Sequence, residues 1–197
     1  LIPSIMKKFA DLGFFGTHMP EEYGGSHLDF ISNTLVGEEI GPSGSFSVSY
    51  NAHTGIGMLP ILYYGTDAQK DKYLPRLISG DLKASYCLTE PSSGSDALSA
   101  KSTAVLNDAG THYILNGQKM WITNAGFADI FTVFAQVDPK NQKEGVSGFT
   151  GFILEKGMAG LTLGEEEKKL GIKGSSTRMV FMENVAVPVE NVLGEIG

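Results

Sequence analysis

Apolar residues in the first part of the chain recur at helical spacing. Ile5, Met6, Phe9 and Leu12 share one face and Gly13 follows them, which predicts a helix closed by a glycine cap. A second helix is expected over Leu28 to Ile40, stopped by Gly41-Pro42, and Ser43 to Tyr64, rich in small residues, reads as a tightly packed buried helix. Thr66-Asp67-Ala68-Gln69 is a capping-box pattern ahead of Tyr73, Leu74 and Leu77, and Gly80 closes that helix. After Gly80 the period shortens. Lys101–Leu106 and Thr111–Leu115 are short β-type runs separated by Asn107-Asp108-Ala109-Gly110. Asn116-Gly117 stands between Tyr113-Ile114-Leu115 and Met120-Trp121-Ile122, a two-residue hairpin signal. Ile130 to Val137, a polar loop from Asp138 to Gly145, Phe149 to Leu154, Leu161 to Leu163 and Met179 to Met182 continue the series, at a spacing that suggests a sandwich or barrel. The expected class is α+β: a helical N-terminal domain over 1–82, then an antiparallel β-barrel-like domain over 83–197.

Charge narrows the chemistry. The net charge is −7, with no basic run interleaved with aromatics, so nucleic acid is excluded as a partner. An acidic chain does not steer an anion from a distance, so any phosphate must be held by local donors. The single cysteine, Cys87, forbids an internal disulfide and suits a reducing compartment. No apolar run is long enough to cross a bilayer, and Pro3, Lys7 and Lys8 spoil the start as a signal peptide. The first residue, Leu1, is not methionine, which suggests a piece of a longer protein. His18, His27, His53 and His112 have no ligand spacing, so no metal site is expected. Gly55-Ile56-Gly57 lacks a third glycine and a preceding strand.

Two stretches carry candidate chemistry. Tyr86-Cys87-Leu88-Thr89-Glu90-Pro91-Ser92-Ser93-Gly94-Ser95-Asp96 packs hydroxyls, a glycine and a proline into a turn. Such a loop offers N–H and hydroxyl donors to a phosphate or a polar ring edge, although an ordinary surface turn has the same composition. Lys119-Met120-Trp121-Ile122-Thr123-Asn124 places the only tryptophan two residues from a threonine, on one face of a strand. A flat ring beside a hydroxyl fits a planar heteroaromatic ligand; the bland alternative for Trp121 is a core aromatic. Glu90 and Asp96 read as loop-ordering or capping groups, Cys87 as a small buried filler, and Glu165 to Lys169 as a solvated charge run. Lys173 and Arg178 are candidates to meet phosphate, with surface placement the default.

In this order and spacing the two stretches resemble the acyl-CoA dehydrogenase family of flavoenzymes. Met19-Pro20-Glu21-Glu22-Tyr23-Gly24-Gly25, Gly171-Ile172-Lys173-Gly174-Ser175-Ser176-Thr177 and Val187-Pro188-Val189-Glu190-Asn191-Val192-Leu193-Gly194 extend the resemblance along the whole chain, nearest the long-chain and very-long-chain branch. It implies an oxidoreductase of fatty acid β-oxidation with FAD as cofactor. The flavin is then held by Tyr86, Cys87, Leu88, Thr89, Gly94 and Ser95 and by Trp121, Ile122 and Thr123. Ser95 also meets the substrate's pantetheine, Trp121 flanks the isoalloxazine, and Thr123 stands near N5. The reaction implied is α,β-desaturation of a fatty acyl-CoA, with electrons leaving through an electron-transferring flavoprotein. An acyl-CoA oxidase and a non-catalytic flavin- or acyl-CoA-binding relative are the alternatives. The family's C-terminal four-helix bundle, expected to hold the glutamate base, has no counterpart before Gly197, so no catalytic residue is assigned and the chain alone is expected to be inactive. A homodimer or homotetramer is implied, cytoplasmic in a bacterium or in the mitochondrial matrix of a eukaryote.

Overall fold

The computed structural model describes residues 1–138 and 148–197; most of the polar loop expected from Asp138 to Gly145 lies outside them. Helices α1 (Ile2–Asp11), α2 (Phe30–Ile40), α3 (Ser45–Asn51), α4 (Leu59–Tyr64) and α5 (Asp67–Ile78) come first. Strands β1 (Ala84–Cys87), β2 (Thr103–Leu106), β3 (His112–Thr123), β4 (Ile130–Val137), β5 (Phe149–Glu155), β6 (Leu161–Glu166), β7 (Thr177–Pro188) and β8 (Val192–Leu193) follow. No helix among the described residues is long and apolar enough to cross a membrane.

The capping box forms as its sequence demands. The Thr66 hydroxyl accepts from the Gln69 backbone N–H, and the Gln69 side-chain Oε1 accepts from the Thr66 backbone N–H. The same Gln69 amide donates to the carbonyls of Glu190 and Val192, both at 2.8 Å, tying the start of α5 to β8. Gly13 and Gly80 are left-handed just past α1 and α5, where a residue without Cβ closes a helix at least cost.

The buried helix expected over Ser43 to Tyr64 is instead broken. A 3-10 turn (Gly41–Ser43), α3, a π-helical turn (Ala52–Gly57) and α4 share that stretch. Pro60 is the cause on the α4 side: it has no N–H to donate and its ring crowds the preceding turn. Gly57 lies close under β1, where a Cβ would come within 2.7 Å of the Ala84 side chain. His53, in the widened turn, is fully buried; its Nε2 meets the Leu77 carbonyl at 3.1 Å and its Nδ1 accepts from the Ala84 N–H at 3.0 Å.

The strands form one eight-stranded sheet in the order β6-β7-β3-β2-β4-β5-β8, with β1 also on β4. Most pairings are antiparallel, but β1 and β2 lie one after the other, parallel, along one edge of β4. Leu115, Phe131, Val133, Phe152, Leu154, Val180 and Val185 fill the sheet's core. A second cluster packs Met58, Ile61, Tyr73, Leu74 and Leu77 against Ala84, Ile130, Ile153 and Leu193, seating the helices on the sheet.

The Asn116-Gly117 hairpin does not form. Strand β3 runs straight through it, paired to β2 on one side and β7 on the other. Across β7, Leu115 faces Val185 and Gly117 faces Met182, so one residue of β3 opposes two of β7 in a bulge. Asn116 fills the gap with its side chain, accepting from the Asn184 N–H at 2.8 Å. The turn lies earlier, at Asn107–Gly110, where the Asn107 side chain accepts from the N–H groups of Thr111 and His112. Gly117 has φ 144°, and a Cβ there would lie 2.7 Å from the Ser102 Cα. Gly117→Ala is therefore expected to cost about 1–3 kcal/mol, read as a lower urea midpoint with unchanged m-value; an unshifted midpoint would contradict the close β2–β3 approach.

Candidate functional site

The two singled-out stretches meet. Strand β1 and the loop after it run beside the second half of β3. Ser85 Oγ donates to the Thr123 carbonyl at 2.9 Å, and the Met120 N–H donates to the Thr89 carbonyl at 2.8 Å. Beneath them, Lys119 Nζ reaches Glu90 Oε1 at 2.6 Å and the Leu88 carbonyl at 3.2 Å. Both side chains of this ion pair are out of solvent, at 0% and 4% exposure. Glu90 also accepts from the N–H groups of Lys101 at 2.5 Å and Ser102 at 3.0 Å. Burial pushes the Glu90 carboxyl up, but these donors outweigh it and hold it below the usual range. Burial pulls Lys119 below its usual value, partly offset by Glu90. Glu90 is thus the loop-ordering group expected, while Lys119, its partner, was not singled out. Its signal is slight: a lysine one residue from Trp121's neighbour Met120, in a strand that also carries His112, Asn116 and Gln118.

Above this pair, β3 changes course. Trp121 has φ 57° and Asn124 φ 67°, conformations disfavoured for residues with a Cβ. The register to β7 shifts between Lys119 and Ile122. The result turns Ile122 into the core at 2% exposure and leaves Trp121 62% exposed, with Thr123 half-buried. Trp121 is therefore not a core aromatic. Thr123 borders a recess of about 360 Å³ whose other walls are Ser47, Val48 and Asn51 of α3 and Ala52 and Ile56 of the π-helical turn. No described residue hydrogen-bonds the hydroxyls of Thr89, Ser95 or Thr123, or the Trp121 indole N–H. Gly94 and Ser95 are exposed, and nothing lies within 4 Å of where a Gly94 Cβ would stand.

Not every expected residue converges. Cys87 and Ile122 are sealed in the sheet core, at 0% and 2% exposure, because alternate strand residues face opposite sides. Neither has a side chain to offer a ligand, and burial pushes the Cys87 thiol up to about 12, so it is a filler and not a nucleophile. Tyr86 packs on Phe134 and lines a different recess, with Pro60, Tyr64, Phe149 and Leu193. Asp96 acts through its main chain, its carbonyl accepting from Ser93 Oγ and Ser99 Oγ. Glu166, inside the stretch taken as solvated, is half-exposed but bonded to Ser176, the Thr177 N–H and Arg178. Lys169 donates to the Ser175 carbonyl and the Thr177 hydroxyl. Among the described residues no group of His, Cys, Asp and Glu could hold a metal ion.

Two family models match, in the same order as the helices and the sheet: the N-terminal domain of acyl-CoA dehydrogenase over residues 2–81, and its middle domain over 85–185. The chain belongs to the acyl-CoA dehydrogenase family. The middle-domain match contains both stretches of the candidate site; the N-terminal match contains the recess walls from α3. A probable acyl-CoA dehydrogenase of Bacillus subtilis is 56% identical over 193 residues, 98% of this chain and 31% of that protein. The very long-chain specific acyl-CoA dehydrogenase of Rattus norvegicus mitochondria is 48% identical over 95% of this chain and 29% of its own length. The chain thus spans about a third of the length of these curated relatives. Among solved structures, an acyl-CoA dehydrogenase from Bacillus anthracis in complex with FAD superposes with a TM-score of 0.93 at 50% identity, over 100% of this chain and 32% of that one.

Proposed function

We propose that this chain is the flavin-facing part of an FAD-dependent acyl-CoA dehydrogenase that desaturates fatty acyl-CoA between the α and β carbons. The observation that carries the reading is the Trp121 indole, exposed on a left-handed backbone between Met120, whose N–H bonds the Thr89 carbonyl, and Thr123, which borders the recess; no described residue bonds the Thr89 or Thr123 hydroxyl. An apolar plane flanked by donors fits a planar ring with heteroatom edges, and the open side of Gly94 admits a phosphate. FAD is a group of that description and is present in the Bacillus anthracis relative. When bound, FAD supplies the acceptor of the β-hydride. The residues of this chain bind and orient: Trp121 covers one ring face, Thr123 places its hydroxyl at the N5 edge, Leu88 and Thr89 meet the ring's polar side, and Gly94 and Ser95 hold the pyrophosphate, with Ser95 also beside the pantetheine. The uncharged recess between Thr123 and α3, with Val48, Ala52 and Ile56 among its walls, receives the acyl portion. No carboxylate borders that recess among the described residues. The base that takes the α-proton is proposed to be a glutamate of the C-terminal bundle of a longer protein, and the isolated chain should not turn over acyl-CoA. An electron-transferring flavoprotein is the acceptor proposed, and a homodimer or homotetramer the assembly.

Trp121→Ala tests the ring contact. Losing the apolar cover, at about 25 cal/mol per Å² over about 100 Å², weakens FAD retention by about 2–3 kcal/mol, or roughly 30- to 150-fold. Fluorescence titration with FAD reads this; equal affinity with an unaltered spectrum would remove Trp121 from the site. Anaerobic addition of a long-chain acyl-CoA to the longer flavin-loaded protein is expected to bleach the flavin and yield enoyl-CoA. A flavin that stays oxidised with every chain length would favour a non-catalytic relative.

A further inference from the structure

Resting on that reading of Trp121 and Thr123, we infer that Asn124 is the positioning residue that sets Thr123 against the recess. Strand β3 leaves regular geometry between two left-handed residues, Trp121 and Asn124, and such a course persists only where its surroundings over-determine it. Trp121 does not supply the restraint, since its side chain is mostly exposed and no described residue bonds its indole N–H. Asn124 does. It is 0% exposed, and its Nδ2 donates to the Ser49 carbonyl at 2.8 Å and lies 3.5 Å from the Ala84 carbonyl. Its N–H donates to the Ser176 carbonyl at 2.9 Å, and its own carbonyl accepts from Phe127 and Ala128.

The amide can stand only one way, because both groups it faces are carbonyls and need donors. Its Oδ1 is buried with no donor. Such an unmet acceptor is costly, so the two bonds on the other side carry the role. Ser49 belongs to α3, the helix that also presents Ser47, Val48 and Asn51 to the recess. One side chain therefore fixes the distance between the recess wall and the strand end that carries Thr123. Ser85 clamps the neighbouring Thr123 carbonyl from β1, so loss of the Asn124 amide frees Thr123 on the α3 side alone.

The test is carried out on the flavin-loaded protein. Asn124→Gly keeps the left-handed backbone accessible and removes the amide. Asn191→Ala is the control, since Asn191 is also buried and donates its amide to a backbone carbonyl, that of Ile153, in another part of the fold. Asn124→Gly is expected to weaken FAD binding about tenfold, the worth of one well-made hydrogen bond, and to alter the visible flavin spectrum well below its melting temperature. Asn191→Ala should melt lower with FAD affinity and spectrum unchanged. Asn124→Asp, whose carboxyl stays protonated between two carbonyls and keeps one donor, should fall between wild type and Asn124→Gly; it also gives the same readouts if the glycine variant does not fold. Wild-type spectrum and affinity in the Asn124 variants, with only a lower melting temperature, would make Asn124 a structural link and overturn the inference while leaving the flavin reading intact. A wild-type protein that binds no FAD would overturn both.

Discussion

Lys119→Ala is expected to destabilise the fold by about 3–5 kcal/mol, the loss typical when one member of a buried ion pair is removed. The size follows from what remains. Glu90 keeps the N–H groups of Lys101 and Ser102 but loses the cation at 2.6 Å, in a place where its side chain is 4% exposed. The Leu88 carbonyl loses its donor as well. The effect should therefore spread to Leu88 and Thr89 and loosen the loop bonded to Met120. Denaturant midpoints of Lys119→Ala, Glu90→Gln and the double variant give the coupling. A double variant more stable than Lys119→Ala is expected, because removing the stranded carboxylate relieves its desolvation. Wild-type stability in Lys119→Ala would show that the pair is not buried as described.

Acid should act through His53. Burial lowers its pKa in the folded chain from 6.5 to about 4. Nε2–H donates to Leu77 and Nδ1 accepts from Ala84, so only the neutral ring satisfies both. The unfolded state thus binds the proton first. The stability His53 contributes is fully present above pH 6.5 and is lost as pH falls from there through 4. At about 1.36 kcal/mol per unit the total is about 3 kcal/mol. Urea midpoints measured between pH 6.5 and 5, above the range in which ordinary carboxylates titrate, should fall with pH in wild type and fall less steeply in His53→Gln, where burial of His18, which also lowers its pKa, leaves a residual slope of the same sign. Equal slopes in the two proteins would assign the acid sensitivity elsewhere.

Local signals in the sequence carried far where the physics is local. The Thr66–Gln69 capping box, the glycine stops and the switch from helical to strand period all depend on residues close in the chain, and all are present. The errors arise where distant chain decides. Asn116-Gly117 has the composition of a turn, yet β2 and β7 flank it and leave no room to reverse. Ser43 to Tyr64 looks continuous until the contacts of Gly57 with β1 and of His53 with Leu77 and Ala84 are known. In the site, Trp121 is exposed and Thr123 half-buried, while Ile122 and Cys87 are sealed in the core, a burial that the motif alone conceals. Lys119 was hidden because a lysine is exposed by default, and only its meeting with Glu90 reverses that.

Gln69 ties together two regions far apart in sequence. An N3 glutamine normally reports on nothing beyond its own first turn, and glutamate serves as well there. Here the amide faces the carbonyls of Glu190 and Val192, so a carboxylate would set acceptor against acceptor. The consequence is cooperative. The strand at Val192–Leu193 cannot detach without taking both acceptors from the Gln69 amide, and α5 cannot fray from its start without loosening that strand's hold, which β5 otherwise supplies. Amide protons at the two places should then exchange with solvent through one shared opening, as a single foldon assembled from stretches more than a hundred residues apart.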